Sequence, residues 1–304
     1  MSERITPAMI TSSTLNDINS AFASMERSSS ELSSGKTILQ PSDNPYGASH
    51  AIDLQSQLDG LGSYASNAQD GASWTMASEG AMANMSELLQ RVRELTVQAS
   101  NGTYNQGDLN GIATQVSQLA ETIKQDANTQ YAGQYVFSGT ATTTPPYQQG
   151  EADAYAGNAE TVARSIGPGA SVAVNADISS VLGNGQASKD GKLLDVLRTI
   201  SQHLREGTAE SKAALSSSDL KSLDSNIEGL VQLQAGTGSA TDQLRLASSR
   251  IEALQSSLTK ALSDTQNADF AKTSIAYSDQ QAAYTAALRA GASIVQESLL
   301  NFLH

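Results

Sequence analysis

The chain has 304 residues, with 18 Lys and Arg against 31 Asp and Glu, a formal net charge of −13 and no cysteine. That balance excludes a nucleic-acid-binding role, because phosphates need a basic face. The missing thiols exclude disulfides, a thiolate nucleophile and Cys-based metal sites. No run of about 18 apolar residues occurs, so no membrane span is expected, and Met1–Pro7 lacks the basic and apolar regions of a cleavable secretory signal, so none is expected.

The first element is an amphipathic helix over about Ser12–Ser34, with Gly35 as its C-terminal cap. Leu15, Ile18, Phe22, Met25 and Leu32 follow heptad spacing, with Ser29 in the weak slot. A sustained a/d repeat describes a helix that must find another helix. Pro41-Ser42-Asp43-Asn44-Pro45 then forbids a continuous helix and offers turn and cap chemistry. A long helix of about 55 residues follows, roughly 80 Å at 1.5 Å per residue. Leu54, Leu58 and Leu61 begin its stripe, and Leu88, Val92, Leu95 and Ala99 continue it past Trp74 and Met76, Met82 and Met85. Trp74 and the methionines read as core rather than as a cofactor box. Asn101-Gly102 to Gly107-Asp108 marks a helix hairpin, and Leu109, Ile112, Val116, Leu119 and Ile123 make a third helical stripe.

From Tyr135 the pattern changes. Tyr135–Gly139, Thr140–Thr144, Pro145–Tyr147, Thr161–Ile166 and Ser171–Val174 are predicted short strands, separated by Gly-Pro-Gly and Asn-Gly turns. Helices return at Leu193, Leu194, Leu197, Ile200 and Leu204, and again at Leu220, Leu223, Ile227, Leu230 and Leu233. Gly236-Thr237-Gly238 reads as a kink that does not end the helix. Leu244, Ile251 and Leu258 then repeat every seven residues, with Ala247, Leu254, Ala261 and Ala268 as a second row. Lys272 and Asp279 interrupt this seam, which resumes in a shifted frame at Tyr284, Leu288, Val295, Leu299 and Phe302.

The predicted fold is mainly α: an elongated hairpin-like rod of long helices, with coiled-coil termini and a small β insertion. Three domains follow: terminal coiled-coil helices over 1–42 and 266–304, a helical rod over 43–134 and 186–265, and a β domain over 135–185. The two ends must either meet each other or bury themselves in neighbouring copies. Their thin seams show no evident local partner, and isolated helices of this kind are marginal in water, so residues 1–40 and 270–304 are expected to fray in the monomer.

Chemistry is sparse. His50, His203 and His304 lack a second ligand at metal-binding spacing, and no G-x-S-x-G elbow occurs. The Gly-x-Gly runs lack the rest of any phosphate-binding pattern. No cofactor, no metal and no catalytic residue is expected, and a hydrolase on a helical scaffold is disfavoured.

These features together resemble the flagellin superfamily of bacterial flagella. Gly35-Lys36 with Pro41–Pro45 and Ala99–Thr103 are similar to the superfamily as a whole. Tyr135–Gly139 with Thr142–Tyr147, Asp269-Phe270-Ala271, Ala283–Leu288 and the closing Ser298-Leu299-Leu300-Asn301-Phe302-Leu303 look more like its hook–filament junction branch, the hook-associated protein 3 family. The resemblance implies a structural adaptor joining hook to filament, found in the extracellular flagellum and exported without a cleaved signal peptide by the type III apparatus. Its copies would form a homo-oligomeric ring. A neighbouring hook-associated protein would lie on the hook side, and flagellin or flagellin-like subunits on the filament side. A cytoplasmic export chaperone would bind the C-terminal helix, and neither nucleic acid nor membrane would be a partner. The assembly interface would comprise Leu15, Ile18, Phe22, Met25 and Leu32 at one end and Tyr284, Leu288, Val295, Leu299, Leu300 and Phe302 at the other. A flagellin filament subunit is the alternative.

Overall fold

A computed structural model describes the backbone of residues 7–101, 104–150 and 153–302, with side-chain burial assigned between residues 9 and 293. The chain is mainly helical. In order it runs α1 (Pro7–Ser34), α2 (Pro45–Ser100), α3 (Gln106–Ala127), β1 (Gln130–Tyr131), β2 (Gln134–Tyr135), β3 (Ala163–Gly167), β4 (Ala170–Ala173), α4 (Ser179–Leu182), α5 (Leu193–Glu206) and α6 (Ala209–Ala214). A π-helical turn over Leu215–Asp219 leads into α7 (Leu220–Gln266), and α8 spans Phe270–Phe302. Two compact units result, one from residues 1–60 and 254–304, the other from 61–253.

In the first unit, cap chemistry sets the helix ends. Gly35 has φ +68° and its N–H donates to Glu31 O at 2.9 Å, a left-handed termination that suits glycine. Asp43 Oδ2 accepts from the N–H groups of Leu39 and Gln40, shaping the Pro41–Pro45 turn. Asn44 Oδ1 then accepts from Gly47 N, an N-cap with Pro45 at the first helical position. Asp269 caps α8 in the same way, accepting from Ala271 N and Lys272 N. Between the helix ends, Lys36 and Asn267 form a lone antiparallel bridge. Thr37 N donates to Gln266 O at 2.8 Å, and Ala268 N to Gly35 O at 2.9 Å.

That bridge sets α1 antiparallel to α8, and the pair stays in register along its length. Ser28 Oγ donates to Gln280 Oε1 at 2.7 Å, and the Phe22 and Tyr284 rings lie 5.6 Å apart. A Cβ on Gly291 would stand 2.9 Å from Ile18 Cδ1, so the glycine permits the close approach. Of the two outcomes the terminal repeats allowed, this is the first: each of these two helices is the other's partner. Their seams looked thin in sequence because the contact is built largely from small and polar residues. Beside it, Ala51, Leu54 and Leu262 form a small apolar cluster with Leu58, Leu258 and Ala261 packed on it.

The second unit holds the large core. Trp74, Met82, Met85, Leu89, Val92, Leu109, Val116, Ile123, Leu197, Ile200, Leu204, Leu223, Leu230 and Leu244 are all essentially solvent-free. Met76, grouped with them in the sequence, faces out instead. Residues 61–100 of α2 run antiparallel to residues 220–253 of α7. Arg93 Nε bonds Asp224 Oδ1 at 2.7 Å, and the Thr241 hydroxyl lies 2.7 Å from Glu79 Oε1. Helix α7 passes through Gly236-Thr237-Gly238 without ending. Helix α3 starts on a full capping box of Asn105 and Asp108 and packs on α5.

Among the described residues the β content is smaller than predicted: two two-stranded antiparallel sheets, β1–β2 and β3–β4. The expected strands at 161–166 and 171–174 are largely present as β3 and β4, in register Arg164↔Val172. Those expected over 135–147 are not, apart from Tyr135 in β2. This stretch is a buried loop in which Val136, Phe137 and Tyr147 are fully enclosed. Side chains replace the ladder. Asn128 accepts from Tyr147 N and donates to Tyr147 O, Tyr147 donates to Gly183 O at 2.7 Å, and Tyr155 donates to Phe137 O at 2.8 Å. Gly139 turns the loop at φ +63° against the Asn158 carbonyl, where no Cβ fits. Pro145 and Pro146 cannot donate to a ladder at all.

Candidate assembly surface

The first unit buries little. Its buried large apolar side chains among the described residues are Leu54 and Leu262. Yet eleven of the fifteen exposed large apolar side chains fall there, among them Met9, Leu15, Phe22, Ile52, Phe270, Ile275 and Leu288. The second unit has the reverse balance. Exposed apolar groups gathered on one part of a molecule mark an interaction surface, and a two-helix pair cannot enclose both sides of each helix.

The N-terminal residues singled out in the sequence divide into two rows. Ile18, Met25 and Leu32 are half-buried on the α8 side, in heptad step with Thr14, Ala21 and Ser28. Leu15 is 56% exposed and stands off that seam, whereas Phe22, 45% exposed, lies at its edge against Tyr284. On α8, Tyr284 is half-buried against Phe22 and Leu288 is 42% exposed. The side chains of Val295, Leu299, Leu300 and Phe302 lie outside the described residues. The structure therefore brings Phe22 and Tyr284 together and sets Leu15 and Leu288 facing solvent. On α7, Leu244 and Ile251 are buried within the second unit, whereas Leu254 is exposed within the first.

Sequence reasoning missed Thr14, Ser28, Gln280 and Gly291, which make the close contact. The available signal was spacing alone: Thr11, Thr14, Ile18, Ala21, Met25, Ser28 and Leu32 form an unbroken 3-4 series once small polar residues are admitted. It also missed Lys124. That side chain is solvent-free, with Nζ 2.6 Å from Glu121, 3.1 Å from the equally buried Asp153 and 2.8 Å from Gly150 O. Lys124 lies four residues from Ala120 and eight from Val116, on the apolar stripe, where a lysine needs a buried carboxylate.

Among the described residues no group of three or more His, Asp and Glu could hold a metal ion, and no helix is long and apolar enough to cross a membrane. His203 Nδ1 meets Asp219 Oδ2 at 2.6 Å, a pairing across the end of α5 and the π-helical turn; His50 stacks on Tyr46 at the surface.

Comparison with known proteins accords with this architecture. Residues 5–142, a little under half of the chain, match the bacterial flagellin N-terminal helical region. Phase 1 flagellin of Salmonella naestved is 38% identical over 126 residues, which cover 41% of this chain and 25% of that protein. These matches make the chain similar to flagellin-like structural components of the bacterial flagellum.

The likeness that runs the length of the chain is narrower. Flagellar hook-associated protein 3 of Escherichia coli (strain K12) is 25% identical, covering 94% of this chain and 95% of that one. Two solved structures share the fold. The putative flagellar hook-associated protein of Vibrio parahaemolyticus aligns with a TM-score of 0.67 at 18% identity, over 74% of this chain and 100% of that chain. The flagellar hook associated protein-3 of Legionella pneumophila aligns at 0.61 and 14%, over 69% and 97%. The resemblance read from the residues is thus found in both sequence and fold.

Proposed function

We propose that the chain is the adaptor that joins hook to filament, assembling as a ring through its terminal helices. The observation that carries this reading is the contrast between the two units: one closes its own core, and the other leaves apolar rows on α1 and α8 uncovered. Residues 1–42 and 266–304 would form the inner assembly domain, with 43–134 and 186–265 as the helical rod and 135–185 as the β domain. Leu15, Ile18, Phe22, Met25 and Leu32, with Tyr284, Leu288, Val295, Leu299, Leu300 and Phe302, would be the residues buried between copies. A neighbouring hook-associated protein would dock on the hook side and flagellin or flagellin-like subunits on the filament side. The subunit would travel unfolded through the type III apparatus, with no cleaved signal peptide, after a cytoplasmic chaperone has shielded α8. Exposed apolar helix faces at high concentration are an aggregation hazard, which gives such a chaperone a physical reason.

The flagellin filament subunit remains the second reading, favoured by the 38% identity over 126 residues. Deleting the gene and imaging the cells separates the two. Bare hooks with flagellin shed into the medium are the expected result. Missing filaments without shed flagellin would mean a filament subunit, and intact filaments would overturn both.

A further inference from the structure

In the second unit a cleft of about 360 Å³ opens beside α5. Its walls include Ser117 of α3, Gln186, and Arg198, Ser201, Gln202 and Arg205 of α5. Arg198 and Arg205 are seven residues apart and so share one helix face, about 10.5 Å apart along the axis. Both are thinly paired. Arg198 makes a single ion pair, Nη2 to Asp195 Oδ1 at 3.0 Å, and its Nε is buried without an acceptor. Among the described residues no carboxylate stands within ion-pair distance of Arg205.

This under-pairing is the informative part. Carboxylates outnumber basic side chains 31 to 18, so two arginines lining one cleft should readily find partners. The other polar walls do not compete for an anion. The Ser117 and Ser201 hydroxyls lie 2.9 Å apart and both reach Ala113 O, so their protons are committed to each other and to that carbonyl. The Gln186 amide donates to Glu121. What remains on offer is N–H donors: two positively charged guanidinium groups and the neutral Gln202 amide. Guanidinium forks match carboxylate and phosphate oxygens bidentately.

We propose that this cleft is an oxyanion site, binding a carboxylate or a phosphate-type anion between Arg198 and Arg205, with Gln202 as a third donor. The site stands independently of the assembly reading. Its occupant has two possible sources, a free inorganic oxyanion or an Asp or Glu side chain of a second copy.

The test follows the arginine Nε–Hε resonances of the isotope-labelled full chain at low ionic strength. Inorganic phosphate should shift Arg198 and Arg205 together and saturably, half-complete at about 1–10 mM. Arg91 and Arg245, which are solvent-exposed, serve as controls. Arg205→Gln, an exposed substitution that leaves the core untouched, should weaken the Arg198 response at least about tenfold, with Trp74 fluorescence confirming the fold. No response, an equal response at the control arginines, or full retention of the Arg198 response in R205Q would overturn the proposal. A second arm identifies the source. Movement of the same resonances toward their phosphate-bound positions as protein concentration rises, without phosphate, assigns a carboxylate of a second copy; constancy assigns the free ion.

Discussion

Replacing Lys124 by methionine removes the one cation that the buried Asp153 meets among the described residues. In the intact chain Lys124 Nζ meets Asp153, Glu121 and Gly150 O within 3.1 Å, and both Lys124 and Asp153 are sealed from water. Methionine fills much of the volume but leaves the Asp153 carboxylate with Gln186 N as its remaining donor, at 2.9 Å. Removing one partner of a buried pair costs about 3–5 kcal/mol, because the survivor keeps its desolvation penalty. For a unit of this size that is a fall of about 6–20 °C in melting temperature. The assay is urea and thermal unfolding followed by tryptophan fluorescence. Trp74 is the sole tryptophan and is 1% exposed in the second unit, so the signal reports that unit alone. The double variant Lys124→Met/Asp153→Asn should regain much of the loss, since it abolishes the orphaned charge. A loss below about 1 kcal/mol in K124M would refute the argument, because it would mean that Asp153 finds water or another partner at little cost.

Three further outcomes are expected. The Tyr147 and Tyr155 phenols should resist ionisation in an alkaline spectrophotometric titration. Burial raises both, that of Tyr155 to about 12 with help from Asp177; the native chain holds these protons longer than the unfolded chain, so stability falls as pH rises above about 10, and a titration in which all nine tyrosines ionise together before unfolding would contradict this. Burial tends to raise the Asp190 carboxyl, but N–H bonds from Asn184 and Lys192 outweigh it and hold the group below 3.8. Its contribution is present above that value and lost in acid, so Asp190→Asn should flatten the fall in stability between about pH 4 and 2, measured by urea midpoints. Leu15→Asp with Leu288→Asp should lower self-association of the concentrated chain at least about tenfold while leaving the Trp74 unfolding transition in place; sedimentation velocity that shows no change would count against these rows as contacts between copies.

The helical framework was legible because heptads and stripes are periodic, and periodicity survives in one dimension. Trp74, Met82 and Met85 read correctly as core for the same reason. The Tyr135–Tyr147 stretch misled because aromatic, Val and Thr residues look like strand formers whether a ladder or side-chain hydrogen bonds hold them. Only the long-range bonds of Asn128, Tyr147 and Tyr155 distinguish the two cases. The α1–α8 contact was hidden by its chemistry: Ser28, Gln280 and Gly291 carry no hydrophobic signal, although they let two helices approach closely. The Lys124–Asp153 pair was hidden by distance, since the partner lies across a loop and nothing local identifies it. The exposed Leu15 and Leu288 were found by pattern, but which side of each helix they occupy depends on the register that the backbone bridge sets.

That bridge has a consequence for how such a chain can diverge. The stitch between residues 35–37 and 266–268 is made chiefly of main-chain N–H and C=O groups, which every residue but proline supplies in full, with the Thr37 hydroxyl adding one bond to Gln266 O at 3.2 Å. It is therefore largely blind to side-chain identity. Substitutions can accumulate along α1 and α8 without unfastening their ends, provided that position 35 still accepts a left-handed turn and positions 37 and 268 still carry an N–H. Fastening by backbone rather than by residue type is one way in which a chain can share 25% of its residues with a hook-associated protein across 94% of its length and still bring its first and last helices together.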